Sequence, residues 1–206
     1  MKEKNRLYNK NWSFNNLLDI KGIFERLGIR YWIDCGLVLG LHREGDMIAG
    51  DEDDVDICFW KDDAPKLKKA LIEFANEDLR ARRTNRSKDG EISAISLRRV
   101  SRVDIHAADR KGDIVYFPMY KIREVNPHRY GVYVYPAKCF EKLGTIKWRG
   151  VDFPCPNFIE DYLVARYGSD WHINKIETGE WTDCRDVNVN PCLQLDWTAE
   201  DLGRLR

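Results

Sequence analysis

The spacing of apolar residues changes along the chain, and each change predicts an element. From Ser13 to Leu27, the residues Phe14, Leu17, Leu18, Ile20, Phe24 and Leu27 form a stripe at helical spacing, with Ser13 placed as the N-cap and Gly28 just past the end. A second helix is predicted from about Asp62 to Leu79, with Pro65 in its first turn and Leu67, Leu71, Phe74 and Ala75 facing inward. Period-two alternation replaces this pattern at Tyr31–Asp34 and Val55–Phe59. Asp89-Gly90 is a hairpin signal, after which Ile92, Ala94, Ser96 and Arg98 alternate with Ser93, Ile95, Leu97 and Arg99. Val103–His106, Ile114–Phe117, Val132–Tyr135 and Ile146–Phe153, the last broken at Arg149-Gly150, read as further strands. Asn157 reads as the N-cap of a last helix ending at Tyr167, with Gly168 as its stop.

Polar residues break the pattern most sharply at one place. Five of the six residues from Asp51 to Asp56 are acidic, and they run directly into the alternation of a strand. In an extended strand Asp54 and Asp56 project from one face, while Val55, Ile57 and Phe59 project from the other. Two carboxylates so placed repel unless a cation lies between them. Mg²⁺ or Mn²⁺ is the cation implied, since both favour oxygen ligands and Mg²⁺ commonly binds carboxylates together with substrate phosphates. The competing readings are a solvated acidic loop, which the interleaved apolar residues oppose, and an EF-hand, in which Ile57 would stand in place of the obligatory Gly.

Before this cluster, Gly36-Leu37-Val38-Leu39-Gly40-Leu41-His42-Arg43 is expected to open a short helix whose first N–H groups face the acids and seat a phosphate. Gly36 permits close backbone approach, and Arg43 offers a planar fork for an anionic oxygen. A later strand adds a third carboxylate: Asp104 faces away from Val103 and Ile105, and His106 shares its face without an assigned role.

The order Gly36, Leu39-Gly40, Arg43, Ile48, Asp53-Asp54-Val55-Asp56-Ile57 resembles the signature of the LicD-type transferases, relatives of fukutin within the polymerase-β-like nucleotidyltransferase superfamily. Pro154–Trp171 resembles the closing motif of the same family. Leu37 stands where that family usually has Thr or Ser, and Ala49-Gly50 where it usually has Pro-Trp. The resemblance implies an α/β (α+β) nucleotidyltransferase-like fold, a mixed sheet with three acids on one face and helices on the other. It further implies that Asp54, Asp56 and Asp104 are catalytic and hold Mg²⁺ or Mn²⁺, assisted by Glu52 and Asp53. Gly36, Leu37, Gly40 and Arg43 are then expected to contact the nucleotide donor.

The reaction implied is transfer of a phosphoryl-linked group, such as phosphocholine or a polyol phosphate, from a CDP-activated donor to a glycan hydroxyl. Two other readings stay open. One is addition of NMP from an NTP to a small molecule such as an antibiotic; the other is a non-catalytic nucleotide- or carbohydrate-binding module.

Composition narrows the setting. Lys plus Arg and Asp plus Glu number 34 each, and this balance argues against a nucleic-acid binder. No apolar run is long enough to span a membrane, so a cytoplasmic protein is expected, with at most peripheral contact through a lipid-linked acceptor. Cys35 and Cys58 are expected in buried strands as small apolar residues, and a zinc site from Cys155, His172, Cys184 and Cys192 matches no standard spacing. The basic residues Lys121, Arg123, His128 and Arg129 are a diphosphate seat or plain surface. One domain is expected over residues 1–173, followed by an extension over 174–206 that packs on it or is partly flexible.

Overall fold

The computed structural model describes residues 3–87, 90–119, 130–174 and 193–197. These divide into two compact units, one of Met1–Ala108 with Thr145–Cys155 and the other of Asp109–Gly144 with Pro156–Arg206.

The first unit opens with helix α1, Glu3–Leu27, ten residues earlier than the apolar stripe indicates. Strand β1, Tyr31–Asp34, runs into α2, Cys35–Arg43, as predicted. Strand β2 spans Asp54–Trp60. The predicted second helix is divided: Lys61–Lys66, which holds Pro65, forms a 3₁₀ helix, and α3 runs only from Leu67 to Asn76. Proline cannot donate to the i−4 carbonyl, and the tighter turn accommodates it. Strands β3, Arg80–Arg86, and β4, Ile92–Arg99, form the expected hairpin. Strand β5, Ser101–Lys111, follows.

These strands form a mixed sheet. β1 pairs antiparallel with β2, β2 pairs parallel with β5, β5 pairs antiparallel with β4, and β4 with β3. Residues paired across adjacent strands project to the same side. One face therefore carries Tyr31, Ile33, Val55, Ile57, Phe59, Val103, Ile105 and Leu97, all buried, and it is covered by helices. Phe24 of α1 meets Tyr31 edge-on at 5.3 Å and Phe74 of α3 at 5.8 Å. The other face carries Asp34, Asp56, Asp104 and His106.

The polar start of α1 is held by the loop that leads into β2. Lys10 pairs with Asp46 at 2.8 Å, and Trp148 Nε1 donates to the same carboxylate at 3.1 Å. Ser13, expected as the N-cap, is buried in mid-helix, where its hydroxyl donates to the Glu52 carbonyl at 2.7 Å. Asn16 Nδ2 donates to the Arg99 and Ser101 carbonyls, fixing the turn before β5. Strands β8, Gly144–Trp148, and β9, Val151–Cys155, pair as a hairpin through Arg149 and Gly150, both at positive φ as a two-residue primed turn requires.

In the second unit, the end of β5 pairs with β6, Ile114–Met119, which pairs with β7, Tyr130–Pro136. Helix α4, Ile159–Tyr167, starts two residues after the expected cap and ends at Gly168, φ 90°. Tyr162 stacks on Tyr135 at 5.2 Å, and the Arg166 guanidinium lies 3.9 Å from the Tyr133 ring centre. Residues Leu193–Trp197, β10, add to β7. Trp171 is half-buried and meets His172 edge-on. The basic run Lys121–Arg129, and Cys184 and Cys192, lie outside the described residues.

Candidate functional site

The parallel pairing of β2 with β5 sets the site. Asp56 is the register partner of Asp104 on one side and of Asp34 on the other, so three carboxylates stand in a row across adjacent strands. Two residues further along each strand, on the same face, Cys58 pairs with His106. Asp56, Asp104 and His106 each offer one ligand atom, and these atoms lie within 4.8 Å of one another. All three side chains are half-buried. Like-charged carboxylates in this arrangement favour a bound cation, and a set of two carboxylates and an imidazole fits a divalent metal.

Asp34 and His106 complete what the sequence indicated only in part. Asp34 is 1% exposed and accepts from Cys35 Sγ at 3.4 Å and Cys58 Sγ at 3.5 Å. Cys58 is buried in β2 as expected, while Cys35 opens α2 with φ 51° instead of lying in a strand.

Asp54 takes a different partner. Arg102, two residues before Asp104 on the same face, donates to both Asp54 oxygens, with Nε to Oδ1 at 3.0 Å, and its Nε lies 3.6 Å from Asp104. Bonding to Asp54 and the charges of Asp104 and Asp56 raise the Arg102 pKa further. A resident guanidinium thus neutralises part of the carboxylate row. Replacing Arg102 with Gln should tighten Mn²⁺ binding roughly three- to tenfold, the scale of one partly exposed charge pair. A spin-resonance titration of free Mn²⁺ checks this, and unchanged or weaker binding would contradict it.

The remaining expected residues are not brought together. Glu52, expected as a metal ligand, is 1% exposed and turned toward α1, where Arg6 Nε and the Gly50 N–H donate to its carboxylate. Its role is to anchor the acidic turn. Leu37 is buried, and Gly40 lies where a Cβ would stand 2.6 Å from the Asp46 carbonyl and 2.9 Å from the Ile48 nitrogen. Gly40 is therefore a close-packing position of the helix against the 46–48 segment. Arg43, about 10 Å along the axis from Gly36, donates to Glu44 Oε1.

The start of α2 meets a carboxylate. A Cβ on Gly36 would lie 2.5 Å from Asp51 Oδ2, so any other residue would have to displace that carboxylate. Burial, with Asp54 and Asp53 nearby, pushes the Asp51 carboxyl up to about 7, against the opposing charge of Arg102. Asp51, Asp53, Asp54, Arg98 and Arg102 line an open cleft of about 210 Å³ beside the carboxylate row.

A mixed sheet with helices on one face and a carboxylate–imidazole cluster on the other matches the nucleotidyltransferase-like fold that the sequence resemblance implies, and a family model bears that out. The LicD/FKTN/FKRP nucleotidyltransferase-domain family matches residues 28–158, more than half of the chain, and the chain belongs to that family. The match spans Gly36 to Asp104 and takes in the first residues of the Pro154–Trp171 block. No curated protein matches the sequence significantly. Among solved structures, a lincosamide antibiotic adenylyltransferase, LnuA, bound to lincomycin, is 17% identical, with 81% of this chain and 92% of that chain covered and a TM-score of 0.48. The antibiotic-resistance factor ANT(2'')-Ia is 14% identical in solution, with 85% and 79% covered and a TM-score of 0.47. Its complex with adenylyl-2''-tobramycin is 16% identical, with 71% and 72% covered and a TM-score of 0.43. Among the described residues, no helix is long and apolar enough to cross a membrane.

Proposed function

We propose that the chain transfers a substituted phosphate group from a CDP-activated donor to a glycan hydroxyl. The observation that carries this reading is the Asp56–Asp104–His106 cluster within a LicD-family domain. Asp56, Asp104 and His106 would hold a divalent metal, and Asp54, bonded to Arg102, stands beside them on the same face. The bound metal supplies charge neutralisation for the donor's phosphates. An imidazole among the ligands favours Mn²⁺ over Mg²⁺, which prefers oxygen donors.

The chain's own side chains do the rest by position. The acceptor hydroxyl oxygen bonds to the donor's outer phosphorus as the bond from that phosphorus to the CMP oxygen breaks, and CMP leaves. The hydroxyl proton passes to Asp104, the carboxylate on the open side of the row beside Arg102. Arg98 and Arg102 face the charge that develops on the phosphoryl oxygens.

Calorimetric titration with CDP-choline, CDP-glycerol, CDP-ribitol, CTP and ATP, each with and without Mn²⁺ and Mg²⁺, tests the assignment. Metal-dependent binding of one CDP-linked compound ahead of both triphosphates is the expected result. A preference for ATP or CTP would move the reading to nucleotidyl transfer, and no binding at all would point to a non-catalytic module.

A further inference from the structure

The buried end of the carboxylate row meets two thiols. Asp34 is the N-cap of α2 by position, yet its carboxylate makes no capping bond to that helix. Its Oδ2 instead accepts from Cys35 Sγ at 3.4 Å and from Cys58 Sγ at 3.5 Å. Backbone N–H groups are the stronger donors and the usual partners of an Asp in this place, so helix capping does not explain where the carboxylate points. Cys35 reaches it from φ 51°, a left-handed conformation that non-glycine residues adopt at a cost and that gathers at ligand sites.

The strand register adds a nitrogen. His106 is the partner of Cys58 on the neighbouring strand and shares its face, so their backbones stand one strand spacing, about 4.8 Å, apart. One carboxylate oxygen, two sulfurs and one imidazole therefore meet where β1, α2, β2 and β5 come together. In a tetrahedral site with bonds of about 2.1 Å to oxygen and 2.3 Å to sulfur, neighbouring ligand atoms stand roughly 3.6 Å apart. Both Asp34–thiol separations are already close to that length. Burial alone would explain one cysteine as a small apolar residue, but not two thiols turned onto a single carboxylate oxygen.

We propose that Asp34, Cys35, Cys58 and His106 form a second cation site, one for Zn²⁺ or a similar thiophilic ion, beside the Asp56–Asp104 pair. Thiolate and imidazole select such ions, whereas carboxylates alone suit Mg²⁺ and Mn²⁺. The incoming ion binds two thiolates, the carboxylate and a neutral imidazole, and the two thiol protons pass to solvent. Cys35, the more exposed of the two thiols, is the point of entry. His106 also belongs to the Asp56–Asp104–His106 cluster, so a thiophilic ion withdraws a ligand from that cluster and weakens its hold on Mn²⁺. The site itself needs no transferase activity.

Cd²⁺ is the probe, because its bonds to thiolate give an ultraviolet charge-transfer band, and it is titrated into the whole protein, free of metal, under a phosphine reductant. Cys35→Ser and His106→Gln should each weaken Cd²⁺ binding at least about tenfold, the lower bound for losing a group that supports a metal site. Cys35→Ser/Cys58→Ser should remove the band. Serine keeps a donor for Asp34 in the same place, so the fold should persist, which urea denaturation checks. Cys139→Ser, a buried thiol of the second unit, should leave the band and the affinity at wild-type values. A band that survives in the double variant would place the ion on other cysteines and overturn the site. Cd²⁺ affinity unchanged in His106→Gln would overturn the four-ligand assignment. Asp104→Asn should weaken Mn²⁺ binding and keep the Cd²⁺ band, and loss of the band in that variant would merge the two sites into one and overturn the proposal.

Discussion

Asp56→Asn is expected to lower turnover roughly 10³-fold and to weaken Mn²⁺ binding by at least tenfold, because a bound metal supplies several kcal/mol of charge stabilisation to phosphoryl transfer. Asp56 is the central member of the row, with Asp34 and Asp104 as its register partners, so it is the carboxylate least replaceable by a neighbour. The same substitution should leave the metal-free fold unharmed or make it more stable by up to about 1 kcal/mol, because it removes like charge from directly opposed strand positions. Loss of function with retained or increased stability is the mark of a residue kept for chemistry. Urea denaturation of the metal-free protein and Mn²⁺ titration of the same sample read both quantities. Turnover within tenfold of wild type would remove Asp56 from the metal site.

How much of this was legible in the sequence depends on whether the signal was local. The alternation Asp54–Phe59 fixes which carboxylates share a face, and the structure keeps that face apart from the helices. Asp104 and His106 are likewise two apart in a readable strand. What no local pattern contains is the parallel register that sets Asp56 against Asp104, since two strands about fifty residues apart can be aligned in several ways. Without that register His106 has no partner and Arg102 no target, although both lie on the acid face by simple alternation. Glu52 misled for the opposite reason. Its place in an acidic run suggests a ligand, whereas the Gly50 N–H and Arg6, forty-six residues away, turn it toward α1. The early start of α1 was hidden because Arg6 and Lys10 serve the loop before β2 through charge, leaving no apolar stripe to read.

Phe24→Ala should cost about 3–5 kcal/mol of folding stability, the range for emptying a large aromatic side chain from a core. Phe24 is fully buried and joins three elements: its own helix, Tyr31 of β1 and Phe74 of α3. A cavity there cannot be filled by one moving side chain, because the neighbours are rings held on separate elements. The consequence reaches the site only through the fold. Helix α1 carries Arg6, Lys10, Ser13 and Asn16, which hold the acidic turn and the β4–β5 turn, so loosening the helix frees the backbone that sets Asp54, Asp56 and Asp104. While the variant remains folded, its Mn²⁺ affinity should stay within about threefold of wild type, since no group of the carboxylate row has changed. Urea denaturation gives the stability loss, and Mn²⁺ titration below the transition gives the affinity. A stability loss under 1 kcal/mol would mean that the α1–sheet contact contributes little to the core. A large fall in Mn²⁺ affinity at full folding would mean that α1 packing, and not the strand register alone, sets the spacing of the carboxylates.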